Sequence, residues 1–192
     1  MKKEVEAEEM EIIIEQLGRT PRNLLRVEKY CAYGYPEVLT TYPLLVKQGD
    51  YGVFPTTYWL SCPKLVNEIS KLEAVGQVKK IQSIINNNPQ QFAQLKTAYQ
   101  NYAQARVDLL TEEDLKRLPQ ENPELWRVIS ESGVGGIMNE EGIKCLHTHY
   151  ADFLVNGVNP VGEIVAKLLN EKFNEECKSK CGSEKDEQSG SN

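Results

Sequence analysis

The stretch from Lys144 to Gly162 concentrates the side chains of this chain that bind metals or move protons. It opens Lys144-Cys145-Leu146-His147-Thr148-His149-Tyr150-Ala151-Asp152 and closes Val158-Asn159-Pro160-Val161-Gly162. Both histidines of the chain lie in it, with one of its five cysteines. There is no proline from Gly142 to Asn156, and Gly157 is a natural stop, so a helix is expected between them. At helical spacing Cys145, His149 and Asp152 share one stripe, as i, i+4 and i+7. His147 then points to the opposite side. Two chemistries suit these types. Thiolate, imidazole and carboxylate are ligands for zinc or, second, iron. Alternatively Cys145 is a nucleophile with a histidine as its base, His149 one turn away being able to approach it, and its thiol is activated near the helix N-terminus. The structural alternative is a helix with a buried thiol and two half-exposed histidines.

Further ligands must come from elsewhere in the chain. Three segments, Leu24–Tyr30, Val38–Val46 and Val53–Leu60, are rich in Val, Leu, Tyr, Thr and Phe and read as strands. Tyr33-Gly34-Tyr35-Pro36 and Lys47-Gln48-Gly49-Asp50 separate them as turns. An antiparallel meander would bring Cys31 and Cys62, at the ends of its first and third strands, to one edge. The candidate metal set is therefore Cys31, Cys62, Cys145, His149 and Asp152, with Cys145 and His147 as the catalytic pair. Arginines suit planar binding of phosphate or carboxylate. The loop Gly18-Arg19-Thr20-Pro21-Arg22 offers Arg19 and Arg22, and Lys144 adds a third cation for a small anionic ligand. Gly133, Gly135 and Gly136 precede the histidine helix, but no Gly-Lys-Ser/Thr follows, so this is a linker or flap and not a P-loop.

The remaining pattern is helical. Ser61-Cys62-Pro63 starts a helix ended by Gly76, and others are expected over 77–86, 90–110, 112–118 and 124–131, with Pro119 and Pro123 as breaks. Asn159-Pro160 starts a last one to about Glu176. The expected fold is α+β: a three-stranded antiparallel sheet over residues 24–60, packed with six or seven helices. One domain over 1–177 and a disordered polar tail over 178–192 are expected. Cys177 and Cys181 lie in or beside that tail and read as incidental thiols.

The net charge of −6 sits at the two ends, and the body from 18 to 170 is balanced. This argues against a nucleic-acid binder with a basic face. No apolar run reaches a membrane span of roughly 18 residues and no signal-peptide core is present, so the expected location is the cytoplasm.

Several separated motifs carry a resemblance. They are Gln16-Leu17-Gly18-Arg19-Thr20-Pro21-Arg22, Phe54-Pro55-Thr56-Thr57-Tyr58-Trp59-Leu60, Ser70-Lys71-Leu72-Glu73-Ala74, and Lys144-Cys145-Leu146-His147 with Val158-Asn159-Pro160-Val161-Gly162. In this order they resemble the bacterial family catalogued as domain of unknown function 501. The resemblance centres the motif on Cys145 and His147. It also implies His at the position of Asp152, and sometimes of Cys62, an exchange that metal ligands allow. Family genes beside exopolyphosphatase imply a link to phosphate metabolism. Two functions follow as expectations. One is a hydrolase with a Cys/His/Asp metal site acting on a phosphate-containing substrate. The other is a non-enzymatic module binding nucleotide, polyphosphate or RNA through Arg19 and Arg22, with structural cysteines.

Overall fold

A computed structural model describes residues 5–47 and 50–170. The turn residues Gln48 and Gly49, Cys177, Cys181 and the polar tail lie outside these. The fold is α+β. Strands β1 (Leu24–Tyr30), β2 (Pro36–Thr41) and β5 (Tyr58–Leu60) form an antiparallel sheet in the order β1-β2-β5. The register pairs Val27 with Leu39 and Leu39 with Trp59. Gly34, at a φ of 80°, makes the β1–β2 turn.

The expected second and third strands are each shorter than the sequence suggests. Pro43 and Pro55 cannot donate to a ladder, so the chain leaves the sheet at both. Between them β3 (Leu44–Lys47) and β4 (Asp50–Val53) pair as a separate hairpin. Asn23 holds this departure: its backbone is left-handed, and its side-chain amide donates to the carbonyls of Tyr42 and Leu44.

Eight α-helices are present among the described residues, against six or seven expected: α1 (Ala7–Leu17), α2 (Pro63–Ala74), α3 (Gln77–Asn86), α4 (Pro89–Val107), α5 (Glu112–Glu121), α6 (Pro123–Glu131), α7 (Leu146–Asn156) and α8 (Pro160–Asn170). Proline opens α2, α4, α6 and α8, where its missing N–H is harmless. Pro119 does not end α5 as expected. It lies in the last turn, where only one hydrogen bond is lost.

The main core joins β5, α2, α3, α4, α7 and α8 through Leu60, Ile69, Ile81, Leu95, Leu146 and Val165. A smaller one lies under the hairpin, around Leu44, Leu110, Leu118 and Ile129. Helix α7 runs through the main core and buries six consecutive-turn residues from Leu146 to Asp152, His147 excepted. It meets α8 very closely at Gly162, where a Cβ would stand 2.2 Å from the Phe153 Cβ. Arg106 of α4 is wholly buried and pairs with no carboxylate among the described residues. Its guanidinium donates to the carbonyls of Ile129 (2.7 Å), Val128 (3.2 Å) and Ser132 at the end of α6, and to that of Pro55 (3.0 Å). The negative end of α6 thus accommodates a cation that in turn ties down the Pro55 segment. Burial lowers this guanidinium to about 10.

A candidate Cys–His–Glu centre

Helix α7 begins later than its sequence suggests. Cys145 is extended (φ −142°, ψ 121°) and occupies the N-cap position. It has no capping side chain of its own. The capping oxygen comes from another element: Glu73, near the end of α2, accepts the Leu146 N–H at 2.6 Å. Because Cys145 lies outside the helix, the expected stripe with His149 and Asp152 does not form. Cys145 turns instead toward His147, with Sγ 3.5 Å from Nδ1. Glu73 Oε1 lies 3.4 Å from the same nitrogen.

The other imidazole nitrogen fixes the tautomer. His147 Nε2 lies 3.0 Å from the Val66 carbonyl, which only accepts, so Nε2 carries a proton. Ser70 Oγ stands 3.2 Å from it. Nδ1 is thereby aimed at Cys145 and Glu73. Among the described residues, Glu73, Cys145 and His147 form the one cluster of His, Cys and acidic side chains whose ligand atoms all lie within 4.8 Å of one another. Burial opposes a charge on His147, but bonds to Cys145 and the Val66 carbonyl, with the charges of Cys145 and Glu73, raise it to about 9. Burial likewise pushes the Cys145 thiol up, yet His147 and the Thr148 backbone outweigh it and the thiol is lowered. The two shifts run in opposite directions, each toward the charged form of its group.

The pair faces a cavity of about 550 Å³ bordered by Pro55, Tyr58, Trp59, Leu60, Val66, Lys144 and the Gly135 turn. That size suits a small-molecule or peptide site. The glycine segment is a short 3-10 turn, Val134–Gly136, and forms one wall. Of the three expected anion contacts, Lys144 borders this cavity. Arg19 and Arg22 are exposed beside a separate space of about 160 Å³. Trp59 borders both spaces, and the Arg19 guanidinium lies 5.4 Å from its ring centre.

The other expected ligands sit elsewhere. Cys31 begins the β1–β2 turn, and Cys62 is buried at the start of α2. His149 and Asp152 are buried on α7 in a polar network of their own. Asn159 organises it. Its Oδ1 accepts from Val161 and Gly162 N–H, capping α8. Its Nδ2 donates to Asp152 Oδ2 (2.8 Å) and lies 3.1 Å from His149 Nδ1. The His149 proton thus falls on Nε2, which has no hydrogen-bond partner among the described residues. Burial lowers His149 to about 4 and raises Asp152 to about 6, the latter against the bonds from Asn159 and Asn156.

Sequence reasoning missed Glu73 as a member of the centre. Its signal was its place in the Ser70–Ala74 motif, but nothing local ties it to a cysteine on a distant element.

These features define an α+β protein in which a cysteine, a histidine and a glutamate converge at the start of one buried helix. The family model described as Protein of unknown function (DUF501) matches residues 27–167, and the chain belongs to this family. No curated protein and no solved structure matches it. No helix among the described residues is long and apolar enough to cross a membrane.

Proposed function

We propose that Glu73, Cys145 and His147 hold a divalent metal, zinc before iron, at a hydrolytic centre open to the cavity. The observation that carries this is the spacing of the ligand atoms. Tetrahedral zinc with its usual bond lengths separates a thiolate sulfur from an imidazole nitrogen by about 3.6 Å, and that nitrogen from a carboxylate oxygen by about 3.4 Å. The corresponding distances here are 3.5 and 3.4 Å. The Nε2–H bond to Val66 and the Leu146 N–H bond to Glu73 are the supporting contacts that metal ligands use. Three protein ligands beside a cavity suit a catalytic rather than a structural zinc, since structural sites take four. Such an ion supplies an activated water and polarises a bound carbonyl or phosphoryl oxygen. Lys144 is the cation placed to meet an anionic part of the substrate.

The test is metal content of the anaerobically purified, tag-free protein beside Cys145→Ser and Glu73→Gln. About one equivalent of zinc or iron in the parent, lost in both variants, is expected. A parent without metal that also fails to bind added zinc would overturn the reading. A second reading then takes its place, favoured by Cys145 standing at the N-terminus of α7 beside His147: a nucleophilic thiolate with His147 as acid and base. Rapid alkylation of Cys145 at neutral pH, abolished in His147→Ala, is its signature.

A further inference from the structure

The three residues of β5 all border the cavity. Successive strand residues point to opposite faces, so a cavity that touches three in a row meets the strand along its edge. The side chains agree. The Tyr58 hydroxyl interacts with Asn156, at the other end of α7 from Cys145, and Leu60 is buried in the main core. An eleven-residue helix is about 16 Å long, so Tyr58 and Leu60 present main chain to the cavity.

Among the described residues, strand β5 pairs on one side only, with β2. The Thr41 N–H donates to the Thr57 carbonyl at 3.0 Å and the Ser61 N–H to the Glu37 carbonyl at 2.9 Å. With Leu39 opposite Trp59, these bonds make Leu39–Trp59 the mutually bonded pair. The amide and carbonyl of Trp59 therefore face β2, and those of Tyr58 and Leu60 face the unpaired edge. The Tyr102 hydroxyl takes the Tyr58 N–H at 3.2 Å. The Tyr58 carbonyl and the Leu60 amide and carbonyl remain on the cavity side without a strand partner among the described residues. Gly135, Thr148, Cys145 and His147 border the same cavity. Gly136 packs on Pro55, which also borders it: a Cβ there would stand 2.7 Å from the Pro55 ring.

We propose that the substrate is an extended peptide segment, added as a strand along the free edge of β5 beside the Cys145–His147–Glu73 centre. The inference rests on the hydrolytic reading of that centre and names its substrate class. Backbone donors and acceptors in alternation are what an added strand satisfies, and an orphaned main-chain amide inside a fold is costly without a partner. One residue of a peptide running parallel to β5 reaches both the Tyr58 carbonyl and the Leu60 amide. Trp59 and Val66 give its side chains apolar cover. Among the described residues Lys144 is the one Lys or Arg that borders this cavity, fewer than the clustered cations that phosphoryl groups favour. Hydrolysis breaks the amide C–N bond, places the oxygen of water on the acyl carbon, and leaves a carboxylate and a protonated amine.

The test uses full-length, zinc-loaded protein and a defined mixture of capped synthetic decapeptides that places every residue type at every position, read by mass spectrometry. Cleavage by the parent, lost in Glu73→Gln, is expected. For a cleaved sequence, methylating successive backbone nitrogens should raise KM in an alternating pattern, by about fivefold or more where a strand bond is lost. A flat methylation profile overturns strand addition. Normal zinc content with no cleavage of the mixture overturns the peptide substrate and leaves the metal centre standing. Cleavage without bound metal overturns the metal centre and leaves the strand edge standing.

Discussion

His147 and His149 are two residues apart on one helix and live in opposite worlds. His147 is partly exposed at the cavity, and its partners are a thiol, a carboxylate and a carbonyl, which raise it to about 9. His149 is fully buried, its one polar partner is an amide, and it is lowered to about 4. Helical geometry alone puts them on different faces. What packs on each face then decides the chemistry: α2 brings Val66, Ser70 and Glu73 to His147, and α8 brings Asn159 to His149. A histidine becomes a ligand or a base through its neighbours, and a neutral buried histidine serves the fold.

Exchanging the two roles gives the largest expected effects. His147→Ala should weaken zinc binding by more than about 100-fold, beyond what loss of a supporting partner costs. His149→Ala should keep the metal. It should cost about 2–4 kcal/mol of unfolding free energy, because it opens a buried space and strips Asn159 of a partner. Zinc titration and urea melts of both variants check this. Metal loss in His149→Ala without loss of stability would erase the distinction.

The legible and illegible parts of the sequence divide along the same line. The strands, the proline-started helices and the Asn159 cap were readable because their signals are local. The centre was half readable. Cys145 and His147 stood out as reactive types, but helical spacing from Gly142 pointed Cys145 toward His149. The register failed because the capping oxygen for α7 is the Glu73 carboxylate, delivered by tertiary packing. The antiparallel sheet does carry Cys31 and Cys62, at the ends of β1 and β5, to one edge. A shared edge, however, leaves them outside the cluster. Pro43 and Pro55 were readable in principle, since neither can sit within a ladder, and they explain why the hairpin separates from the sheet.

The buried face predicts a pH response below 6.5, where His147, raised to about 9, is protonated in both states and adds no slope. His149 is lowered from the ordinary 6.5 to about 4, so its contribution to stability is complete above 6.5 and lost as pH falls toward 4. Asp152 is raised from 3.8 to about 6, so its contribution is complete below 3.8 and lost as pH rises through 6. The two slopes oppose each other between these limits, and the parent should show a shallow profile there. Asp152→Asn keeps one acceptor oxygen where the carboxylate offers two, to Asn156 and Asn159, and removes one slope. Its stability should rise above pH 6.5, then fall by about 3 kcal/mol between pH 6.5 and 4. Denaturant melts at a series of pH values would show it. A variant as flat as the parent would mean that His149 is not held neutral by burial.

The close approach of α8 to α7 sets the geometry of the buried face. Gly162→Ala would put a Cβ 2.6 Å from the His149 carbonyl and against Phe153. Neither backbone nor a Cβ can swing aside, so α8 must move, at about 1–3 kcal/mol of overpacking. Because Asn159 starts α8, the shift should disturb the His149–Asn159 contact first. An altered His149 ring signal in NMR, with zinc affinity unchanged, is the expected pattern. Equal loss of metal affinity would show that the two faces of α7 are mechanically joined.

The smallest effect separates two supports of His147. Its Nε2 lies between the Val66 carbonyl at 3.0 Å and the Ser70 hydroxyl at 3.2 Å. A single N–H satisfies one acceptor well, and the carbonyl cannot be the donor, so the proton belongs to the Val66 bond. The Ser70 hydroxyl, farther away at 3.2 Å, is the weaker partner. Ser70→Ala should therefore lower zinc affinity by about threefold or less, within the net worth of one weak hydrogen bond. A loss comparable to that of His147→Ala would reassign the proton: Ser70, and not the main chain of α2, would then be what aims Nδ1 at Cys145 and Glu73.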